Sequence, residues 1–150
     1  MKIAVGSDHG GFKLKPVVKE TIEKLGAEYF DFGCYDGSSV DYVDYAKKVS
    51  AAVLSGEYDL GILICGTGIG MSIAANKFKG IRCAHCEDVY SAKMTRLHND
   101  ANILAIGERV TGAGLAEEIV KAFIETPFSK DERHIKRIEK IREIEDENFK

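Results

Sequence analysis

An apolar run meets a thiol in "ILICGTGIG" (residues 62–70), and glycines follow at 66, 68 and 70. Glycines let successive backbone N–H groups turn toward one point, and a helix start behind them adds positive potential. A loop so built holds an anion. Cys65 stands at its mouth, where a helix N-terminus favours the thiolate, so it is a candidate base or nucleophile. Thr67 supplies a hydroxyl able to relay a proton. The amides of Gly66, Thr67, Gly68, Ile69 and Gly70 are the candidate donors to the anion. Two plainer readings stand beside this one. Strand–helix turns also carry glycines for close packing, and a buried cysteine often ends a strand.

Familiar anion loops fit poorly. A Walker loop closes on Gly-Lys-Ser/Thr, whereas this one closes on Gly70-Met71-Ser72. A cysteine-dependent phosphatase needs an arginine six residues after the thiol, and Met71 stands there. "GSDHGG" (6–11) puts acid and imidazole where a dinucleotide turn wants bare glycine. What remains is a thiol beside an oxyanion hole, with Asp8 and His9 as an acceptor and a donor across the cleft. "CAHC" (83–86) has redox or zinc spacing but falls within a strand pattern, so its two thiols point to opposite faces and suit core packing. Cys34 sits in a loop without an identifiable partner.

The elements that position these residues follow from periodicity. Residues 2–5, 28–32, 60–65, 81–86 and 102–106 read as strands. Leu14, Val18, Ile22 and Leu25 mark one helix face; Tyr42, Tyr45, Ala46, Val49 and Val53 mark another. Residues 70–79, 88–98 and 112–125 supply three more helices. The alternation implies right-handed crossovers and an α/β fold: a three-layer αβα sandwich around a Rossmann-like five-stranded parallel sheet. Ligands of such sheets bind at the carboxyl ends of the strands. "GSDHGG", "CGTGIG" and "GERVTG" converge there. A last helix follows, with Ser129 or Asp131 as N-cap. Its Ile135, Ile138, Ile141 and Ile144 form a narrow stripe, suited to a partner subunit or to its own core.

The length, 150 residues, suits one domain over 1–150. The net charge of −3, with no basic patch before the last helix, argues against nucleic acid. No apolar stretch is long enough for a bilayer, and "MKIAVGSDHG" lacks the features of a signal peptide. These features place the protein in the cytoplasm, with its four cysteines reduced.

"GSDHGGFKLK", "DYVDYA", "ILICGTGIGMSIAANKFKGIRCA", "YSAKMTRLHNDANILAIGERV" and "ERHIKRI" together resemble the type B ribose-5-phosphate isomerases, in order and at matching spacing. The related galactose-6-phosphate isomerase subunits are the nearest competitors. The resemblance implies an aldose–ketose isomerase that needs no metal or other cofactor. It makes Cys65 the base and the 66–70 amides the enediolate's donors. Some members use a glutamate further along the loop; here Ser72, Ile73 and Ala74 follow instead. It makes His98 the ring opener with Asn99 alongside, and gives the phosphate to Arg109, Arg133 and Arg137. His9 assists at the phosphate and Asp8 at a sugar hydroxyl. The substrate is ribose 5-phosphate, with allose or galactose 6-phosphate as alternatives. A non-catalytic flavodoxin-like binding module is the remaining class. Because His98 precedes strand five and Cys65 ends strand three, they lie at opposite sheet edges. Either His98 is structural or a partner subunit delivers it; the resemblance favours delivery, which implies a homodimer, or a dimer of dimers, with shared active sites.

Overall fold

The computed structural model describes residues 1–149. The five apolar runs form β1 (Lys2–Ser7), β2 (Glu28–Asp31), β3 (Leu60–Cys65), β4 (Cys83–His85) and β5 (Ile103–Gly107). The helices are α1 (Lys15–Lys24), α2 (Tyr42–Leu54), α3 (Ile69–Ala75), α4 (Val89–Asn99), α5 (Ala113–Glu125) and α6 (Glu132–Asn148). All strand pairs are parallel, in the order β2-β1-β3-β5-β4.

Every residue of β3 and β5 is buried, as a strand covered on both faces requires. Alternation divides their side chains. Ile62, Ile64, Leu104 and Ile106 pack with Val18 and Ile22 of α1, Ala92 of α4 and Ile119 and Phe123 of α5. Leu63, Cys65 and Ala105 pack on the other face, with Ala46 and Val49 of α2 and Met71 and Ala75 of α3. The result is the expected αβα sandwich. Its crossovers explain where a site can form. The chain leaves β1 and β5 toward the face of α1 and α5, but leaves β3 toward the face of α3. The carboxyl end of β3 is therefore flanked on both sides by strands whose loops depart the other way, and a crevice opens there.

The structure corrects several boundaries. β4 is three residues long rather than spanning 81–86. α3 stops at Ala75, not 79, because the Lys77 and Phe78 amides turn back to Ala74 and Ala75 and Gly80 adopts a φ of 87°. Of the two candidate caps of α6, Asp131 takes the role, accepting from the Arg133 N–H at 3.0 Å. Ile138 of the isoleucine stripe is buried, while Ile135, Ile141 and Ile144 are exposed. Cys83 and Cys86 do pack on opposite faces. Burial pushes their thiols up to about 12 and about 11, so both stay protonated at neutral pH.

Close approach makes Gly11 irreplaceable. A Cβ there would overlap the backbone carbonyl of Ile64, on the strand that carries Cys65. Gly114, in the first turn of α5, has open space around it. Gly11→Ala is expected to lower unfolding free energy by roughly 2–3 kcal/mol, since backbone cannot move aside as a side chain can. Gly114→Ala should raise it by roughly 0.5–1 kcal/mol. Urea denaturation of the two variants measures the contrast.

Candidate active site

The thiol is seated by the loop it precedes. Cys65 is 5% exposed, and its Sγ accepts a hydrogen bond from the Gly68 N–H at 3.1 Å. That bond requires Gly68 to turn left-handed, at φ 81°. A side chain there would also lie 2.8 Å from the His85 ring and 2.9 Å from the Ile106 carbonyl carbon. Beyond the strand, pairing with β5 continues. The Cys65 carbonyl accepts from the Glu108 N–H at 2.9 Å, and the Gly66 carbonyl from the Arg109 N–H at 3.0 Å. This pairing brings the exposed Arg109 side chain over Gly66, where a Cβ would meet its Nη1 at 3.3 Å. Thr67 is exposed, and its Oγ1 accepts from the Ile69 N–H at 3.3 Å, which leaves its own proton free to donate.

The β1 loop closes the crevice. Asp8 is buried, and its Oδ1 accepts from the N–H groups of Gly10 and Gly11 at 2.9 and 3.1 Å. One carboxylate oxygen thus shapes the turn, leaving only Oδ2 for another partner. His9 is exposed, and its Nδ1 accepts from the Val40 N–H at 3.2 Å. That bond assigns the ring proton to Nε2. The loop carrying Val40 is anchored in turn by Lys15, 3% exposed, whose Nζ donates to Asp31 at 3.0 Å and to the Cys34 carbonyl. Cys34, without an assigned partner in the sequence, is buried with its Sγ 3.2 Å from the Asp36 carbonyl.

Two neighbours of the loop were not legible as site residues. Tyr42, expected on the buried face of its helix, is 40% exposed and lays its ring over Gly70, where a Cβ would meet it at 2.8 Å. The signal was its position as first residue of α2, because every helix here that follows a strand begins at the carboxyl edge. His85, expected only as a strand residue, packs against Gly68 with its Nε2 3.5 Å from Glu87.

The remaining candidates gather elsewhere. His98 and Asn99 form the last turn of α4, which runs back from the carboxyl edge to the amino edge of the sheet. Asp100 caps it in the left-handed region, at φ 45°. Arg96 grips the Asp100 carboxylate at 2.9 Å, and Arg82 donates to the Asn99 and Asp100 carbonyls at 2.9 Å. The amino end of α6 docks here, the Ser129 N–H donating to the Leu97 carbonyl at 3.1 Å. Arg133 and Arg137 share an exposed face of α6. Arg133 is 3.4 Å from Asp131, and Arg137 has no ion pair among the described residues.

The site residues therefore form two constellations. Asp8, His9, Cys65, the 66–70 loop and Arg109 meet at the carboxyl edge. His98, Asn99, Arg133 and Arg137 meet at the amino edge. β3 contributes six residues between the edges, a span of roughly 20 Å, so the two groups of one chain do not meet.

The ribose/galactose isomerase family matches residues 3–141. Ribose-5-phosphate isomerase B of Escherichia coli is 49% identical over 144 residues, 96% of each chain. Among solved structures, ribose-5-phosphate isomerase B of Clostridium thermocellum superposes with a TM-score of 0.95 at 54% identity, over 98% of this chain and 99% of that one. A ribose 5-phosphate isomerase of Thermotoga maritima gives 0.91 at 53% identity, over 95% and 97%. With the sequence matched along nearly its whole length and the fold superposing from end to end, this chain belongs to the ribose/galactose isomerase family.

Proposed function

We propose that this protein interconverts D-ribose 5-phosphate and D-ribulose 5-phosphate through a cis-enediolate, with Cys65 as the base. One observation carries the reading: a buried thiol whose sulfur already accepts an amide N–H from the loop beside it. A carbon acid needs a base against it and fixed donors where the oxygen becomes negative. Both come from one strand–loop–helix turn. Cys65 takes the proton from C2 of the open aldose. The developing charge settles on O1 at the 66–70 loop. The Gly68 N–H serves the sulfur and the Ile69 N–H the Thr67 hydroxyl, which leaves the amides of Gly66, Thr67 and Gly70 to it. Thr67 passes the O2 proton to O1, and Cys65 returns its proton to C1.

Ribose 5-phosphate rests mostly as a ring. Opening it breaks the C1–O4 bond, moves a proton onto O4 and takes one from the C1 hydroxyl. His98 is the group for that exchange, with Asn99 beside it. Arg109, Arg133 and Arg137 are the cations for the phosphate, His9 donates to it through Nε2, and Asp8 accepts from a sugar hydroxyl. A second copy of the chain delivers its own amino-edge group to the Cys65 loop. The uncovered isoleucines of α6 give that copy an apolar face to pack on.

Cys65→Ala is expected to lower isomerisation by roughly 10²–10⁴-fold, with sugar phosphate binding retained because the amides and arginines remain. Pentose and hexose 6-phosphates, assayed with metal chelated, form the substrate panel, and ribose 5-phosphate should lead it. Alkylation at neutral pH should label Cys65 first and be blocked by substrate. Cys83 and Cys86, whose thiols burial keeps protonated, should stay unlabelled until unfolding. An active Cys65→Ala variant overturns the assignment.

Arg137→Ala should raise KM by the loss of one charge-assisted contact, about 1.5–3 kcal/mol, and leave the poor turnover of unphosphorylated ribose unchanged. The shared site has its own test. Cys65→Ala and His98→Asn chains, refolded together, should recover activity that neither has alone. In a random mixture of dimers, about a quarter of the sites would hold both wild-type residues. A mixture as inactive as its components, with exchange verified, rejects the sharing.

A further inference from the structure

His134 follows Arg133 directly on α6 and precedes Arg137 by less than one turn, yet faces the other way. His134 is 4% exposed where Arg133 and Arg137 are exposed. Its ring lies on that of His98, the centroids 4.4 Å apart and the planes tilted by 35°. Ser129 Oγ lies 2.7 Å from its Nδ1. The same Oγ accepts from the Asp131 N–H at 3.1 Å, so its own proton is free to point at the imidazole. The Ser129 N–H in turn donates to the carbonyl of Leu97, the residue before His98. Ser129 thus ties the His134 ring to the backbone beside His98, and the two rings pack in a tilted stack. Among the described residues no hydrogen bond orients the His98 ring, so the stack is what does.

We propose that His134 is a positioning residue for ring opening, its stacked imidazole holding the His98 ring at the angle from which it exchanges protons with the closed sugar. The proposal rests on His98 as the ring opener. An imidazole turning freely about its side-chain bonds points a nitrogen at O4 only part of the time. One clamped by a neighbouring face pays that orientation in advance. The clamp must also tolerate a charge on His98 as protons move. Burial lowers the pKa of His134, with His98, Arg133 and Arg137 adding to the effect and Asp131 opposing it. His134 is therefore neutral at neutral pH, and a neutral ring stacks on either form of His98 without charge repulsion.

Two reactions of the same enzyme separate this role from a structural one. Ribulose 5-phosphate carries its phosphate on the C5 oxygen, the one that would close a five-membered ring on C2, so it is acyclic. Exchange of its C1 proton with deuterium from the solvent, followed by NMR, needs Cys65 and the loop but no ring opening. Turnover of ribose 5-phosphate needs both. His134→Ala is expected to lower kcat for ribose 5-phosphate about tenfold, with KM and the exchange rate within about twofold of the parent. His134→Phe keeps a flat ring against His98 and should recover most of the loss. Equal falls in exchange and turnover, a rise confined to KM, or a phenylalanine variant no better than alanine would each overturn the proposal. Failure of the underlying readings shows differently: exchange that survives in Cys65→Ala removes the base, and normal ribose 5-phosphate turnover in His98→Asn removes the ring opener.

Discussion

The hydrogen bond from the Gly68 amide to Cys65 Sγ is the contact around which the carboxyl edge is organised. Making it requires the chain to reverse within three residues of the strand end, through a left-handed residue that only glycine occupies without strain. The reversal presses the loop onto its surroundings. A Cβ at Gly107 would lie 2.5 Å from the Thr67 carbonyl carbon, and one at Gly10 3.1 Å from the Gly66 nitrogen. Glycines at or just beyond the ends of three strands are thus explained by one requirement. Backbone must meet backbone around the sulfur, leaving neither room for side chains nor freedom for the amides to turn away. Donors held this way need little reorganisation when charge appears among them.

Sheet polarity is the second constraint. In a parallel sheet every strand delivers its following loop to one edge, so Asp8, Cys65 and Arg109 converge without any long-range device. The same polarity sends the end of α4 to the other edge. No repacking within one chain brings His98 to Cys65, because the strands between them are the core. An active site using both groups must therefore be assembled from two chains, and its catalytic competence is then tied to protomer concentration.

Much of this was legible in the sequence because it is periodic or punctuated. Continuous apolar runs gave the buried strands, and the glycines around Cys65 gave the turn. Even the separation of Cys65 from His98 followed from element order. What escaped was whatever depends on which side of an element packs. Tyr42 fits the apolar period of α2 as well as Val49 does, yet it lies beyond the sheet edge and covers Gly70 instead of the core. Asp8 was legible as an acidic residue in a turn, but not the commitment of one oxygen to the Gly10 and Gly11 amides. Ser129 was one of two plausible caps. Asp131 took the role because a carboxylate is the stronger acceptor for a helix amide, and this freed Ser129 to meet His134.

The two constellations are held by different physics. Around Cys65 the backbone packs on itself and on buried strands, so position is set by volume exclusion. Around His98 it is set by charge. Asp100 adopts a φ of 45° without the freedom of glycine, and Arg96 fixes its carboxylate. Arg82, whose pKa burial lowers while Asp100 opposes the shift, donates to the carbonyls of Asn99 and Asp100. Bonds from charged donors to carbonyls are worth more than exposed ion pairs and lose less to salt. The guanidinium groups therefore act as splints on the backbone just after His98, and α6 clamps the ring from the other side. A turn held by such splints can project from the surface of the domain without a core beneath it. On the proposed shared site, that is the geometry His98 would need to reach a neighbouring chain's loop.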